Sequence, residues 1–385
     1  MSKVRLELFS TIFDNQTIPD IYSSIGYGDK RIVNEPNKSS SGGSTLYSIN
    51  LVPGYMNCKL CDAHLYHTKK IPQHNWGYAI FLNSDSNADA YLKNKFNSNF
   101  RTNLNRSIRR LETCFNISYK MYHGEITLKD YEALMESLRM MLVNRFRAIN
   151  EPNNNLPKWM DICTDTFPLI NQKKASLFVI YDGDRPIEIS LNYHMDKILF
   201  SSISSFDLDY SKFGLGHIEI YKQLEWCYLN NYDIFEMGVG GMDYKRRWSN
   251  NIYNFEHHIY YKKSLISNIH AFFEIRKILL KEYLKSKQIP LYFQKAKSAL
   301  SPSKKVEDTL RGEVKVEQLH SNEIPEPEDL LEINLENEAF RPLRKYVYDF
   351  MYGNPENIAH VGVFQLSGTN SYIIKGSDKQ IKITL

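Results

Sequence analysis

Long apolar runs are the first thing this chain lacks. No uninterrupted stretch among its 385 residues approaches the roughly 20 apolar residues needed to span a bilayer, so no transmembrane segment is expected. The opening Met-Ser-Lys-Val-Arg-Leu-Glu-Leu-Phe has no apolar core of the kind a secretory signal carries. Cysteine is scarce as well: five, scattered and odd in number, argue against a disulfide scaffold and for a reduced, cytoplasmic chain. An excess of one charge is also missing. A net charge of +4 admits anionic ligands but is far from the strongly basic balance of a dedicated nucleic-acid binder. No repeat of solenoid period is found. Cys58-x-x-Cys61 followed by His64 and His67 has metal-ligating residue types, but the set is too compact for ordinary finger geometry and lacks a second cysteine pair, so no metal is expected.

What is present is enough chain for two ordinary domains, or one with appendages, and a generous supply of Tyr (26) and Phe (20). Val4–Phe9 and Thr45–Val52 alternate as strands, residues 34–44 have loop composition, and Gly77–Leu82 reads as a short buried strand. One long helix rich in Lys, Arg and Asn is expected over about 87–112. A strand at Phe115–Tyr122 follows, then a helix from Thr127, with Asp130 three residues on as a near capping box, to about Ala148, and a shorter helix over 158–170. Strands are expected at Ala175–Tyr181, Pro186–His194 and Ile198–Ser205, the first two joined through the hairpin signal Asp182-Gly-Asp-Arg-Pro186. Further on come one or two amphipathic basic helices over 264–299, broken at Pro290, a hinge at 301–305, an acidic linker over 323–338, a helix at 344–351 and a hairpin from 361–366 and 372–375.

The most informative unit is Ser211-Lys212-Phe213-Gly214-Leu215-Gly216-His217. It lies between the strand ending at Ser205 and a helix to about Asn230, and a short apolar strand, Asp233–Met237, comes next. A bare-backbone turn at a helix N-terminus suits an anion, because first-turn amides lack internal partners and the helix dipole favours negative charge there.

In order, residues 115–261 read strand, helix, helix, three strands, helix, strand, loop, strand. That order resembles the GNAT N-acyltransferase superfamily, whose pyrophosphate motif Arg/Gln-x-x-Gly-x-Gly/Ala maps onto Ser211 to Gly216, with Ser211 in place of the usual Arg or Gln and Lys212 beside it. A basic helix at Phe100–Leu111, Arg145 within Leu138–Arg147, and Gly238 to Trp248 ending Tyr-Lys-Arg-Arg-Trp resemble the CelD/BcsL-type subgroup, named for cellulose-biosynthesis acetyltransferases, and the related Fem-type peptidyl transferases. The resemblance covers about residues 90–265. It implies an α+β fold with a mixed sheet: a tandem of a degenerate GNAT-like module (1–112) and a complete one (113–265). A basic helical extension (266–300), a linker (301–338) and a small accessory unit (339–385) complete the expected organisation.

The same resemblance implies acetyl-CoA or another acyl-CoA as co-substrate and a small-molecule amine as acceptor, such as an amino sugar, a nucleotide sugar or a lipid-linked cell-envelope precursor. Tyr244 is the candidate acid for the departing thiolate. Glu236, Asp243, Glu188 and His194 are the candidate bases, and Lys245 and Trp248 the candidate substrate contacts. Arg106, Arg109 and Arg110 share one helical face at i, i+3, i+4 spacing, and either hold a substrate phosphate or form wet surface; Arg145 either joins them or does not. Two other readings stay open: Fem-like aminoacyl transfer, the one case in which a nucleic acid (charged tRNA) would be a partner, and a GNAT-like scaffold without catalysis.

Overall fold

The computed structural model describes residues 2–34, 44–240, 242–287, 314–319 and 330–385. The chain begins with β1 (Lys3–Glu7), α1 (Leu8–Phe13), β2 (Tyr22–Tyr27), β3 (Lys30–Val33), β4 (Leu46–Pro53), β5 (Met56–Leu60) and β6 (Tyr66–Phe81). The run read as a short strand at Gly77–Leu82 is thus the end of a 16-residue one, whose first half carries Lys, His and Gln and gives no apolar signal. The loop expected over 34–44 falls largely outside the described residues.

Next come α2 (Ala88–Lys95) and α3 (Ser98–Cys114), where one helix was expected. Asn97 ends that continuity: its side-chain oxygen accepts from Phe100 N–H at 2.9 Å and starts a second helix. After β7 (Ile117–Tyr122), α4 (Leu128–Ala148) starts at Thr127, whose hydroxyl accepts from Asp130 N–H at 3.1 Å. Then follow α5 (Trp159–Asn171), β8 (Ala175–Asp182), β9 (Arg185–Met195), β10 (Ile198–Phe206), α6 (Leu215–Leu229), β11 (Ile234–Val239), α7 (Asp243–Trp248), β12 (Asn251–Lys262) and α8 (Leu265–Ser286). The C-terminal part holds β13 (Lys315–Gln318), β14 (Leu330–Glu332), α9 (Arg341–Gly353), β15 (Gly362–Leu366), β16 (Ser371–Lys375) and β17 (Gln380–Thr384).

These elements fall into two compact units. The first comprises Met1–Ser86, Asn192–Ser202 and Cys227–Lys304. Its strands run β1-β4-β12-β6-β11-β10, with β1 parallel to β4 and β10 parallel to β11 among otherwise antiparallel pairs. The β10/β11 ladder has three rungs, the last Phe200 opposite Glu236, although β11 itself continues to Val239. Phe9 fills the core beneath it, edge-on to Phe200 at 4.7 Å and to Phe255 at 5.5 Å.

The second unit comprises Asn87–Leu191, Ile203–Trp226 and Lys305–Leu385. Its strands run β7-β8-β9-β10, with β7 antiparallel to β8, and a separate antiparallel sheet runs β13-β17-β16-β15-β14. Lys315–Gln318 and Leu330–Glu332, within the stretch expected as a linker, are edge strands of that sheet. Isolated short strands of three or four residues with no alternating apolar face leave no sequence signal. Helix α9 packs its aromatic residues on the turn before α6: Tyr348 lies 4.7 Å from Tyr210, and Tyr352 lies 5.2 Å from Phe213. The chain is therefore mixed α/β, as expected.

Candidate functional site

The glycine-marked turn lies wholly in the second unit. Residues Leu208–Phe213 form a 3-10 turn that ends at Gly214, whose φ of +71° is left-handed and favours glycine. Gly214 O then accepts the first bonds of α6, from His217 N–H at 2.9 Å and Ile218 N–H at 3.3 Å. The amides of Leu215 and Gly216 precede those bonds, at the positive end of a 15-residue helix. Among the described residues, a Cβ built on Gly216 meets nothing within 4 Å, and one on Gly214 meets only Ser107 Oγ at 4.0 Å. The corner is open. Its side chains divide sharply: Phe213 and Leu215 are buried and anchor the turn, Ser211 and Lys212 are exposed, and His217 meets Phe100 edge-on at 5.5 Å. Lys212 Nζ sits 3.4 Å from Asp349 on α9, which fastens the turn from its outer side.

In the first unit, Glu236 occupies the last rung of the β10/β11 ladder and is wholly buried. Its carboxylate accepts from Gly238 N–H at 2.6 Å and from the Tyr55 hydroxyl at 2.9 Å. Burial pushes its pKa up to about 7, while the Gly238 amide, the Tyr55 and Tyr253 hydroxyls and the Lys245 charge hold it from going higher. The Tyr55 ring is itself clamped edge-on by Tyr253 at 4.9 Å and Phe81 at 5.5 Å. Gly238 has a φ of +68°, and a Cβ there would lie 2.9 Å from the Phe200 ring, so the backbone turn that presents its amide to Glu236 requires glycine.

Just beyond, Lys245 on α7 extends its ammonium back to Met237 O at 2.5 Å and Val239 O at 3.2 Å, closing the end of β11. Tyr244 is half-buried on the same short helix, Asp243 is exposed at its start, and Trp248 is completely buried as its anchor. His194, also in this unit, is buried with Nδ1 2.8 Å from the Tyr232 hydroxyl.

The remaining predicted residues belong to the second unit. Glu188 on β9 is wholly buried, and neither carboxyl oxygen has a hydrogen-bond partner among the described residues. Burial, then the neighbouring Glu219 carboxylate, raise its pKa well above the ordinary value, and the Arg145 charge opposes them only in part. Glu219 accepts from Gln223 at 2.5 Å, and Arg145 lies over the Phe206 ring at 5.3 Å. Arg106, Arg109 and Arg110 do share a face: with Thr102, Asn105, Thr113 and Pro355 they line a cavity of about 480 Å³, and no carboxylate lines it among the described residues. Arg110 is steadied over the Tyr352 ring at 4.6 Å, and Arg106 by Asn103 at 2.8 Å.

Sequence reasoning missed Tyr55, which sits 181 positions before Glu236 and carries no motif. It also missed Glu219, although its place four residues into the apolar inner face of α6 could have drawn notice. A cavity of about 570 Å³ was missed too; Met140, Met141, Arg147 and Phe206 wall it beside the Arg185–Asp207 ion pair. No group of three or more His, Cys, Asp or Glu able to hold a metal ion occurs among the described residues.

A family model described as "Acetyltransferase (GNAT) domain" matches residues 98–246, which includes α3, the glycine turn, Glu236 and Tyr244. No curated protein matches. Among solved structures, a conserved protein of unknown function from Bacteroides thetaiotaomicron is similar at 9% identity and a TM-score of 0.39, over 56% of this chain and 70% of that one. FemX is similar at 10% identity and a TM-score of 0.40, over 56% and 72%. A GCN5-related N-acetyltransferase from Sphaerobacter thermophilus is similar at 12% identity and a TM-score of 0.30, over 57% and 61%.

Proposed function

With residues 98–246 resembling a GNAT-type acetyltransferase domain, we propose that the chain transfers an acyl group, acetyl in the first instance, from acyl-CoA to an amine by direct attack. The observation that carries this reading is the turn from Ser211 to His217. A left-handed glycine delivers the chain into α6 with the Leu215 and Gly216 amides leading, and among the described residues nothing lies within 4 Å of a Cβ built on Gly216. Those amides are the groups that would hold the cofactor's pyrophosphate. When bound, the cofactor supplies the thioester, and attack on an oriented thioester derives much of its rate from proximity.

The chain's own contribution is proton handling. Glu236, with its pKa raised to about 7, is the proton acceptor for the attacking amine, and a base poised near the working pH is worth roughly 10²–10⁴-fold. Tyr244 is the proton donor to the departing sulfur. Asp243, His194 and Glu188 are assigned no proton transfer. Lys245 and Trp248 shape the chain after β11, and Arg109, with Arg106 and Arg110, takes an anionic group of the acceptor, as an amino sugar joined to a phosphate would carry. The subgroup that fits is the CelD/BcsL type, with its tandem of a degenerate module over 1–112 and a complete one over 113–265.

The test is a screen of acyl-CoAs against amino sugars and nucleotide-linked amino sugars, read as release of free CoA thiol. Release that depends on one class of amine and falls in Glu236→Gln is expected. The absence of amine-dependent release with every donor would contradict the proposal.

A further inference from the structure

Helix α8 is folded inside out. Its buried positions are Ser267, Ala271, Glu274, Ile278 and Glu282, while Ile266, Ile269, Phe272, Phe273, Leu280 and Tyr283 are each between 53% and 66% exposed. An ordinary surface helix turns its apolar stripe to the core and its charges to water. Here the glutamates are drawn inward and used up. Glu274 accepts from Lys3 at 2.6 Å and from Ser48 at 3.2 Å, and Glu282 from Lys285 at 2.8 Å and from His74 N–H at 2.7 Å. These are the only acidic residues in α8. Its outward charges are therefore all basic: Arg276, Lys277 and Lys281 are exposed among the apolar residues, with Lys263 and Lys287 at the two ends. Arg276 lies over the Phe272 ring at 5.2 Å and Lys287 over the Tyr283 ring at 5.8 Å, so the cations border the apolar surface rather than stand apart from it.

We propose that α8 docks on an anionic lipid surface, lying in its plane. Contiguous exposed apolar surface of this kind marks an interaction site, and its chemistry selects the occupant. Phe, Ile and Leu flanked by Lys and Arg, on a helix about 33 Å long, are what a helix in the headgroup layer needs: apolar side chains that enter the acyl boundary and cations that meet lipid phosphates. A second copy of the chain would set one cationic border against an identical one, with no acidic residue on either helix free to relieve it. Nor is α8 built to cross the bilayer: no helix among the described residues is long and apolar enough to do so. The surface belongs to the first unit and is independent of the acyl-transfer reading.

Co-sedimentation of the full chain with vesicles tests this directly. Binding to phosphatidylcholine mixed with phosphatidylglycerol, weak binding to phosphatidylcholine alone, and loss of binding at high salt are expected. Phe272→Ser with Phe273→Ser should weaken binding at least about tenfold. Lys277→Gln and Lys281→Gln should each weaken it about fivefold. All of these positions are exposed, and unchanged circular dichroism would confirm that the variants fold. Equal binding to both vesicle types, or full binding by the double serine variant, would overturn the proposal. So would a concentration-dependent dimer that Phe273→Ser dissociates, since a second copy would then own this face. Failure to bind any vesicle would do the same.

Discussion

Glu236 and Glu188 are both carboxyls taken wholly out of water, and the fold treats them in opposite ways. Glu236 receives an amide from Gly238 and a hydroxyl from Tyr55, and its pKa settles at about 7. Glu188 receives no hydrogen bond among the described residues, has a second carboxylate as neighbour, and is pushed well toward its neutral form. Burial alone neutralises an acid; burial with two hydrogen-bond donors leaves one that changes charge near neutral pH. Only the second kind is useful for moving a proton in water at pH 7.

Breaking the comparison at Glu236 should have the largest effect. Glu236→Gln is expected to lower kcat/KM by roughly 10²–10⁴-fold and to remove the rise in rate through pH 7 that the wild type shows as Glu236 loses its proton. Stability carries the same signature with opposite slope. Between the unfolded pKa near 4.5 and the folded value of about 7, the native chain holds a proton that the unfolded chain has released, so stability falls as pH rises across that window. The loss amounts to roughly 3 kcal/mol at most, and denaturant titrations at pH 5 and pH 8 should find it in the wild type and not in Glu236→Gln.

A second variant separates donor binding from proton transfer. Gly216→Glu puts a carboxylate where the α6 amides would meet pyrophosphate. It should abolish a stabilisation by acetyl-CoA that reaches about 2.7 kcal/mol at 100 times Kd, while keeping the pH-dependent stability that Glu236 confers. Calorimetry showing an unchanged acetyl-CoA shift in Gly216→Glu would move the cofactor elsewhere. A smaller effect sharpens the comparison from the donor side. Tyr55→Phe removes a hydrogen bond worth about 1 kcal/mol, so the acid limb of the pH–rate profile should move to higher pH; a stationary limb would detach Tyr55 from the base. The smallest effect belongs to Glu188→Met. Replacing an unpartnered carboxyl with an apolar side chain should leave activity intact and the chain as stable or more stable by about 1 kcal/mol, as read from urea unfolding. A clear loss of stability would reveal a partner for Glu188 and dissolve the contrast.

The strand–helix order of residues 115–237, the Asp182–Pro186 hairpin and the glycine turn were legible because each depends on local chemistry; beyond them the expected loop holds the short helix α7, and β12 starts four residues earlier than expected, at Asn251. Alternation, capping and left-handed glycine are written over a few residues. Glu236 could be picked out as an acid in an apolar strand, but not its behaviour, because Tyr55 reaches it only through the tertiary fold. The break at Asn97 was hidden inside a polar helix whose pattern runs on unbroken, and the short edge strands β13 and β14 have no pattern at all. Helix α8 (Leu265–Ser286) covers the first part of the run read as one or two amphipathic basic helices, while its continuation past Lys287 and the hinge at 301–305 lie outside the described residues. That the apolar side of α8 faces outward was not legible, since a stripe has the same period whichever way it turns; the burial of Glu274 and Glu282, and the ion pairs of Glu274 with Lys3 and Arg5, reveal the choice.

Thermal unfolding of the wild-type chain with acetyl-CoA, set beside free acetate and uncharged tRNA, tests the central claim most directly. Acyl-CoA held at the start of α6 predicts a midpoint that rises with acetyl-CoA concentration and does not move with the other two. A midpoint indifferent to acetyl-CoA, or one raised equally by acetate or tRNA, would contradict it.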